Sequence, residues 1–167
     1  MFEAEKLSSV YSVRCMCDGD ADMILELCLS NDQYYRYCGR QPSRELILDD
    51  LHVTPHGIPV SSKYYVGFFE EGGRLAAVMD LIDGYPDSET AYIGFFMVRK
   101  DLQGRNVGTG IVGEVCGYVR QKGMTRMMLG IDKDNPQSNH FWKKNGFSVV
   151  REVRQEQGTV LVAEKVL

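Results

Sequence analysis

Between Val98 and Gly110 an apolar run gives way to Arg99-Lys100-Asp101-Leu102-Gln103-Gly104-Arg105-Asn106-Val107-Gly108-Thr109-Gly110, a glycine-bearing loop that opens into an amphipathic stretch. Small residues at such a junction let several backbone N–H groups converge on one point. The positive end of the helix that follows favours negative charge there. The chemistry expected of this segment is phosphate binding by main-chain amides. A second group of interest is aromatic and acidic. Tyr34, Tyr35 and Tyr37 cluster early in the chain, and Asp80, Asp83, Asp87 and Glu89 crowd a later strand and turn. Together they have the chemistry to hold a cation by charge and cation–π attraction. An acidic solvated loop beside a helix packed on a sheet fits the same residues equally well.

Metal and nucleophile chemistry have weaker support. Cys15-Met16-Cys17 lacks the C-x-x-C spacing of a zinc or redox pair, and His52 and His56 flank a Pro-Gly loop without ligand spacing, so no metal site is expected. Cys116 falls on the apolar face of its helix, which argues against a covalent carrier. Five cysteines, an odd number, behind an N-terminus with no apolar signal region point to reduced thiols and a cytoplasmic location.

The elements that must position these residues follow from periodicity. Residues 11–16 alternate and predict a first strand. Asp18 and Asp20 offer N-cap oxygens for a helix through Met23, Leu25, Leu27 and Cys28. Further helices are expected over 31–37, ended by Gly39, and over 43–51. Strands at 64–70 and 74–82 are joined across Glu71-Gly72-Gly73, and 90–98 completes a meander. Val107, Ile111, Val112, Val115, Cys116 and Val119 fall at helical spacing up to Gly123. A strand at 126–131, a helix at 135–144 and a strand pair at 147–153 and 159–166 close the chain. With 167 residues, no repeat and no dividing linker, this predicts one domain over 1–167. Its class is mixed α/β (α+β), a sheet with helices on its faces.

Composition limits the partners. Hydrophobic content of 44% and charged content of 25% suit a globular protein, and no apolar run approaches the roughly 20 residues of a membrane span. A net charge of −4 disfavours a nucleic-acid binder, whose footprint is basic. Gly108-Thr109-Gly110-Ile111-Val112-Gly113 is a literal G-x-G-x-x-G, with Asp132 ending the next strand. A dinucleotide site, however, needs the first glycine directly after the strand, and nine residues separate Val98 from Gly108. Gly113 and Gly117, four apart on one helix face, instead suggest close packing. A Walker A loop fails because no Lys-Ser or Lys-Thr pair follows the glycines.

The longer pattern is more specific. Gln103-Gly104-Arg105-Asn106-Val107-Gly108, after the strand ending at Val98, resembles the Gln/Arg-x-x-Gly-x-Gly/Ala signature of the GNAT superfamily of N-acetyltransferases. Asn106 stands in the first glycine place; asparagine tolerates left-handed dihedrals better than other non-glycine residues. Asn135-Pro136-Gln137-Ser138-Asn139-His140-Phe141-Trp142-Lys143-Lys144-Asn145-Gly146-Phe147 is similar to the second superfamily motif, Asn-x-x-Ala-x-x-Phe-Tyr-x-x-x-Gly-Phe. The likeness is closest over 63–147.

This resemblance implies a twisted sheet of six or seven strands, splayed between the motif strand and the next, and acetyl transfer from acetyl-CoA to a primary amine. Pantetheine would add to the exposed backbone of Phe96, Met97 and Val98, one N–H polarising the thioester carbonyl. The amides of Gln103, Gly104, Arg105, Asn106, Val107, Gly108 and Thr109 would hold the pyrophosphate, with Arg105 adding charge. Asn135 and Asn139 would touch pantetheine from the other side, with Trp142 beside them.

Two departures concern catalysis. Tyr92 stands where many relatives carry a Glu, and it would position a water or simply pack. Trp142 replaces a frequent Tyr, and indole has no proton to give a leaving thiolate. Direct attack in a ternary complex is the expected mechanism, with Tyr34, Tyr35, Asp80 and Asp83 as the acceptor's contacts. The acceptor itself, a small-molecule or peptide amine, is not encoded legibly. Exchange of the C-terminal strands would make a homodimer. A non-catalytic acyl-CoA-binding module, a different acyl donor and an NAD-binding oxidoreductase are the alternative readings.

Overall fold

Alternating and helical periodicities resolve into seven strands and five α-helices among the described residues of the computed structural model, namely 1–39, 41–156 and 158–167. In chain order these are β1 (Ser12–Cys15), α1 (Ala21–Leu29), α2 (Asp32–Cys38), α3 (Arg44–His52), β2 (Lys63–Phe69), β3 (Leu75–Asp83) and β4 (Thr90–Val98). There follow α4 (Val107–Gln121), β5 (Arg126–Asp132), α5 (Pro136–Lys144), β6 (Ser148–Gln155) and β7 (Gly158–Val166). Of the expected turn at 155–158, Gln157 lies outside the described residues, as does the side chain of Cys38.

The strands form one sheet in the order β1-β2-β3-β4-β5-β7-β6. Among the described residues the only parallel pair is β4–β5; a dinucleotide fold, built on parallel βαβ units, is thereby set aside. α4 covers one face, where Ile111, Val112, Val115 and Val119 join Ala91, Ile93, Met127 and Leu129 in one apolar core. On the opposite face α1, α2 and α3 contribute Ile24, Tyr35, Ile47 and Leu51 against Tyr65, Val78 and Met97. The bounds of β4 and α4 are those the sequence predicts.

Three local expectations are corrected. Asp20 does not cap α1: its carboxylate turns back to Arg14 Nη2 at 2.7 Å and to the Cys17 amide at 2.9 Å. Asp18 makes no cap either, because its Oδ1 meets His52 Nε2 at 2.6 Å. Gly113 and Gly117 are exposed, and a Cβ at either would meet nothing within 4 Å, so they serve no close packing. The N-terminal segment is unforeseen as structure. Its 3-10 turn (Ala4–Lys6) buries Phe2 and Leu7, with the Phe2 amide donating to Tyr64 Oη at 3.0 Å.

Candidate active site

β4 and β5 pair for only four residues, Thr90 to Ile93 against Arg126 to Leu129. Just beyond, Asp80 of β3 faces Phe95 while Leu81 faces Ile93, so Gly94 is the extra residue of a bulge. Bulges bend a strand and end its pairing, and the two strands part here. The register also fixes which backbone groups face the gap. The Arg99 amide donates to Ala76 O at 2.8 Å across β3, so strand alternation turns the amides of Phe96 and Val98 the other way, towards the gap. Met97, expected to join them, points its backbone groups at β3.

The gap widens into a cleft of about 370 Å³. Its floor is Phe96 and Val98, and its end wall is the loop before α4. Gly104 (φ 73°) and Asn106 (φ 62°) both take left-handed conformations, which is how Asn106 substitutes for glycine. Asn106 Oδ1 also accepts from Lys144 Nζ at 3.0 Å, tying the loop to α5. The Gly110 amide already bonds Asn106 O at 2.9 Å, whereas the amides of Val107, Gly108 and Thr109 open the helix and have no partner carbonyl within it. Three amides at a helix N-terminus thus face the cleft. Gln103 contributes differently from the expectation: its Nε2 donates to Val98 O at 2.9 Å and to Asn31 Oδ1, clamping the loop to the strand end.

α5 supplies the far wall. Asn135 caps the helix, its Oδ1 accepting from the Ser138 amide at 3.0 Å, and it lines the cleft. Asn139 does not: its amide group bonds Asp132 O at 3.1 Å and Asn135 O at 2.7 Å, pinning α5 to the end of β5. Arg105 is exposed and does not line the cleft. Trp142 touches the cleft from a buried position, its ring 5.1 Å from Phe147 and 6.0 Å from Phe96. His140 and Lys144, passed over in the sequence, line the same wall, and Lys100 lines the cleft from the loop before α4. Their i, i+4 spacing on one helix face was the available signal.

A second cleft of about 360 Å³ opens on the other side of the splay, lined by Tyr34, Tyr35, Asp50, Phe95, Asp132 and the β6–β7 hairpin. Tyr34 is the one residue common to both clefts among the described residues. The charges divide accordingly, basic groups around the first cleft and carboxylates around the second.

The sequence matches the model of the acetyltransferase (GNAT) family over residues 26–147. The chain belongs to this family. No curated relative matches it by sequence. Among solved structures it is similar to an acetyltransferase from Thermus thermophilus (TM-score 0.75, 22% identity, covering 95% of this chain and 99% of that one). It is also similar to the PaiA N-acetyltransferase of Thermoplasma acidophilum in complex with coenzyme A (TM-score 0.67, 17% identity, 93% and 98% covered). A third is a spermidine N-acetyltransferase chimera from Vibrio cholerae (TM-score 0.70, 15% identity, 95% and 96% covered). At these identities the likeness concerns the fold. No helix among the described residues is long and apolar enough to cross a membrane.

Within this GNAT acetyltransferase the residues expected at the acceptor are dispersed. Tyr34 and Tyr35 do flank the second cleft, their rings 5.1 Å apart. Burial pushes the Tyr35 hydroxyl far above its usual range, so it stays neutral. Asp83 lies at the other end of β3, where it pairs with the N-terminal amine at 3.0 Å. Asp80 lines neither cleft directly; it is buried, and Lys63 Nζ holds its Oδ2 at 2.7 Å. Tyr92 also lines neither cleft. Its ring packs on Tyr85 at 5.2 Å, and burial, then Tyr85 and Asp80, raise its pKa, which disfavours it as a base at neutral pH. Asp50 and Asp132, which line the second cleft, were not singled out for it, because nothing local in the sequence says that α3 and the end of β5 share a cleft.

Proposed function

We propose that this chain moves an acetyl group from acetyl-CoA to a primary amine by direct attack in a ternary complex. The observation that carries the reading is the pair of clefts meeting at the β4–β5 splay, one basic with free helix-start amides and one acidic with aromatic walls. The first cleft suits coenzyme A. The amides of Val107, Gly108 and Thr109 would take the pyrophosphate, Lys100 and Lys144 would add positive charge, and the Phe96 and Val98 amides would bond pantetheine and polarise the thioester. The second cleft suits a cationic amine, small molecule or peptide, with Asp132 and Asp50 as charges and Tyr34 and Phe95 as aromatic surface. The amine would then reach the thioester past Tyr34. The cytoplasmic location and the homodimer, the latter through the exposed edge strand β6, belong to this proposal as well; light scattering in solution reads the oligomeric state.

Two measurements test it. Calorimetric titration should show binding of coenzyme A and none of NAD. Thiol release from acetyl-CoA should then rise above background with at least one amine from a panel of polyamines, aminoglycosides, amino acids and short peptides. Binding without release across the whole panel would favour the non-catalytic module. Within an active pair, Asp132→Asn should raise the acceptor KM about tenfold, the worth of one charge-assisted hydrogen bond, and leave coenzyme A affinity unchanged. An unaltered KM would remove Asp132 from the acceptor site.

A further inference from the structure

An ammonium group with a pKa near 10.4 must lose a proton before it can attack, at a cost of roughly 4–5 kcal/mol at pH 7. Neither usual position supplies the chemistry here, since Tyr92 stays protonated and Trp142 carries no acid. A carboxylate does lie beside the bulge, on β3. Asp80 sits on β3 facing the bulge, and a Cβ built on Gly94 would lie 3.1 Å from Asp80 Cγ and closer still to Oδ2. Gly94 is itself exposed in the middle of β4. With no side chain at position 94, only backbone of β4 stands over Asp80 Oδ2, two residues from the Phe96 amide.

The other oxygen has a use available. Lys63 occupies Oδ2, while Oδ1 is buried with no hydrogen-bond partner among the described residues. Tyr65, directly across the strand pair from Asp80, carries a second buried hydroxyl in the same condition. Both residues are more than nine-tenths buried, Asp80 at 8% and Tyr65 at 4% exposure. Two unsatisfied polar atoms on neighbouring strands are the setting in which a buried water is held. The charged and titratable groups around Asp80 are Lys63 and Tyr65 of β2, Tyr92 of β4 and Asp50 of α3. Of these, Lys63 favours the ionised carboxylate and Asp50 disfavours it.

We propose that Asp80 is the proton acceptor for the incoming ammonium group, reached over the bare backbone of Gly94 through one water. This inference rests on the acetyl-transfer reading above. The ammonium gives one proton through the water to the Asp80 carboxylate. The freed nitrogen lone pair forms the C–N bond, the C–S bond breaks, and the thiolate leaves with its electron pair. The second nitrogen proton goes to that thiolate, giving the amide and free coenzyme A. Asp80 then returns its proton to solvent. Lys63 favours the ionised carboxylate between turnovers, a positioning role.

The test measures kcat/KM for the amines of the panel between pH 6 and 10.5. Two variants are compared with the wild type: Asp80→Asn together with Lys63→Met, which leaves no buried charge unpaired, and Gly94→Ala, which puts a methyl against the carboxylate. Coenzyme A binding should be unchanged in both. The double variant should lose at least about a hundredfold at pH 7, the usual worth of general base catalysis, and approach wild type at the alkaline end, where the amine is already free. Gly94→Ala should show a partial version of the same pH-dependent loss. A loss by one constant factor at every pH, or no loss, would overturn the proposal while leaving acetyl transfer intact. Absence of wild-type thiol release at every pH would instead overturn the acetyl-transfer reading, and this one with it.

Discussion

Gly108→Val should abolish detectable coenzyme A binding while the protein still folds. Gly108 is buried where α4 crosses both β4 and α5. A Cβ there would lie 3.1 Å from Phe141 Cε2 and 3.3 Å from Val98 Cγ2. These contacts are tighter than most Cβ contacts in folded proteins, so the neighbours must give, and the two γ-methyls of valine would point further into the same space. The ring of Phe141 packs 4.9 Å from Trp142 and 6.0 Å from Phe96, and its open side is the cleft itself. Either the ring is driven into the cleft or the start of α4 moves outward. Overpacking of this kind costs about 1–3 kcal/mol, which a folded domain survives. A ring in the cleft would fill it, displaced amides of Val107, Gly108 and Thr109 would no longer converge, and binding is lost either way. Calorimetric titration with coenzyme A, alongside a melting curve, reads both effects. Wild-type affinity in a folded Gly108→Val protein would show that these amides do not hold the cofactor.

Lys63→Met should be among the most destabilising single substitutions in the chain. The side chain of Lys63 is only 2% exposed and that of Asp80 11%, so the pair meets in a nearly dry environment at 2.7 Å. Removing one partner leaves the other as an uncompensated buried charge, at about 3–5 kcal/mol. Adding Asp80→Asn should recover most of that loss, to within about 1–2 kcal/mol of wild type, because the second charge is then gone. The pH dependence follows from the direction of the Asp80 shift. Burial raises its pKa, and the Lys63 ammonium is the main influence pulling it down. Without Lys63 the folded-state pKa rises further above the unfolded value of roughly 3.9. A group raised on folding favours the folded state at pH values below its unfolded pKa and loses that contribution as pH climbs through the folded pKa. The single variant should therefore be closest to wild type in acid and fall away towards neutrality. Urea unfolding at pH 5 and pH 8 measures this. Equal stability of the single and double variants would mean that the pair is not the source of the cost.

Much of this was legible in the residues, and the reason is locality. A strand running into a loop that opens a helix is written within a dozen positions, and so is the asparagine-capped start of α5. The bounds of β4 and α4 follow from patterns of that kind, which a chain carries in short windows, whereas the left-handed Asn106 and the splayed sheet are what the family resemblance implies. The side-chain bonds of Asp20 and Asn139 were less legible, because an oxygen or amide that fits a cap or a ligand fits a nearby backbone or guanidinium group equally well.

What the sequence alone determined, then, was the glycine-bearing loop that resembles the family's motif and the order of elements that presents it. What only the tertiary structure decided was which acids face which cleft. Asp80 and Asp83 are three residues apart on one strand, yet one is paired with a buried lysine beside the bulge and the other with the chain's own N-terminus. Asp50 and Asp132 are far apart in the chain and share a cleft. Strand register and the packing of α2 and α3 set those distances, and they arise from contacts between distant segments that no short window of sequence contains.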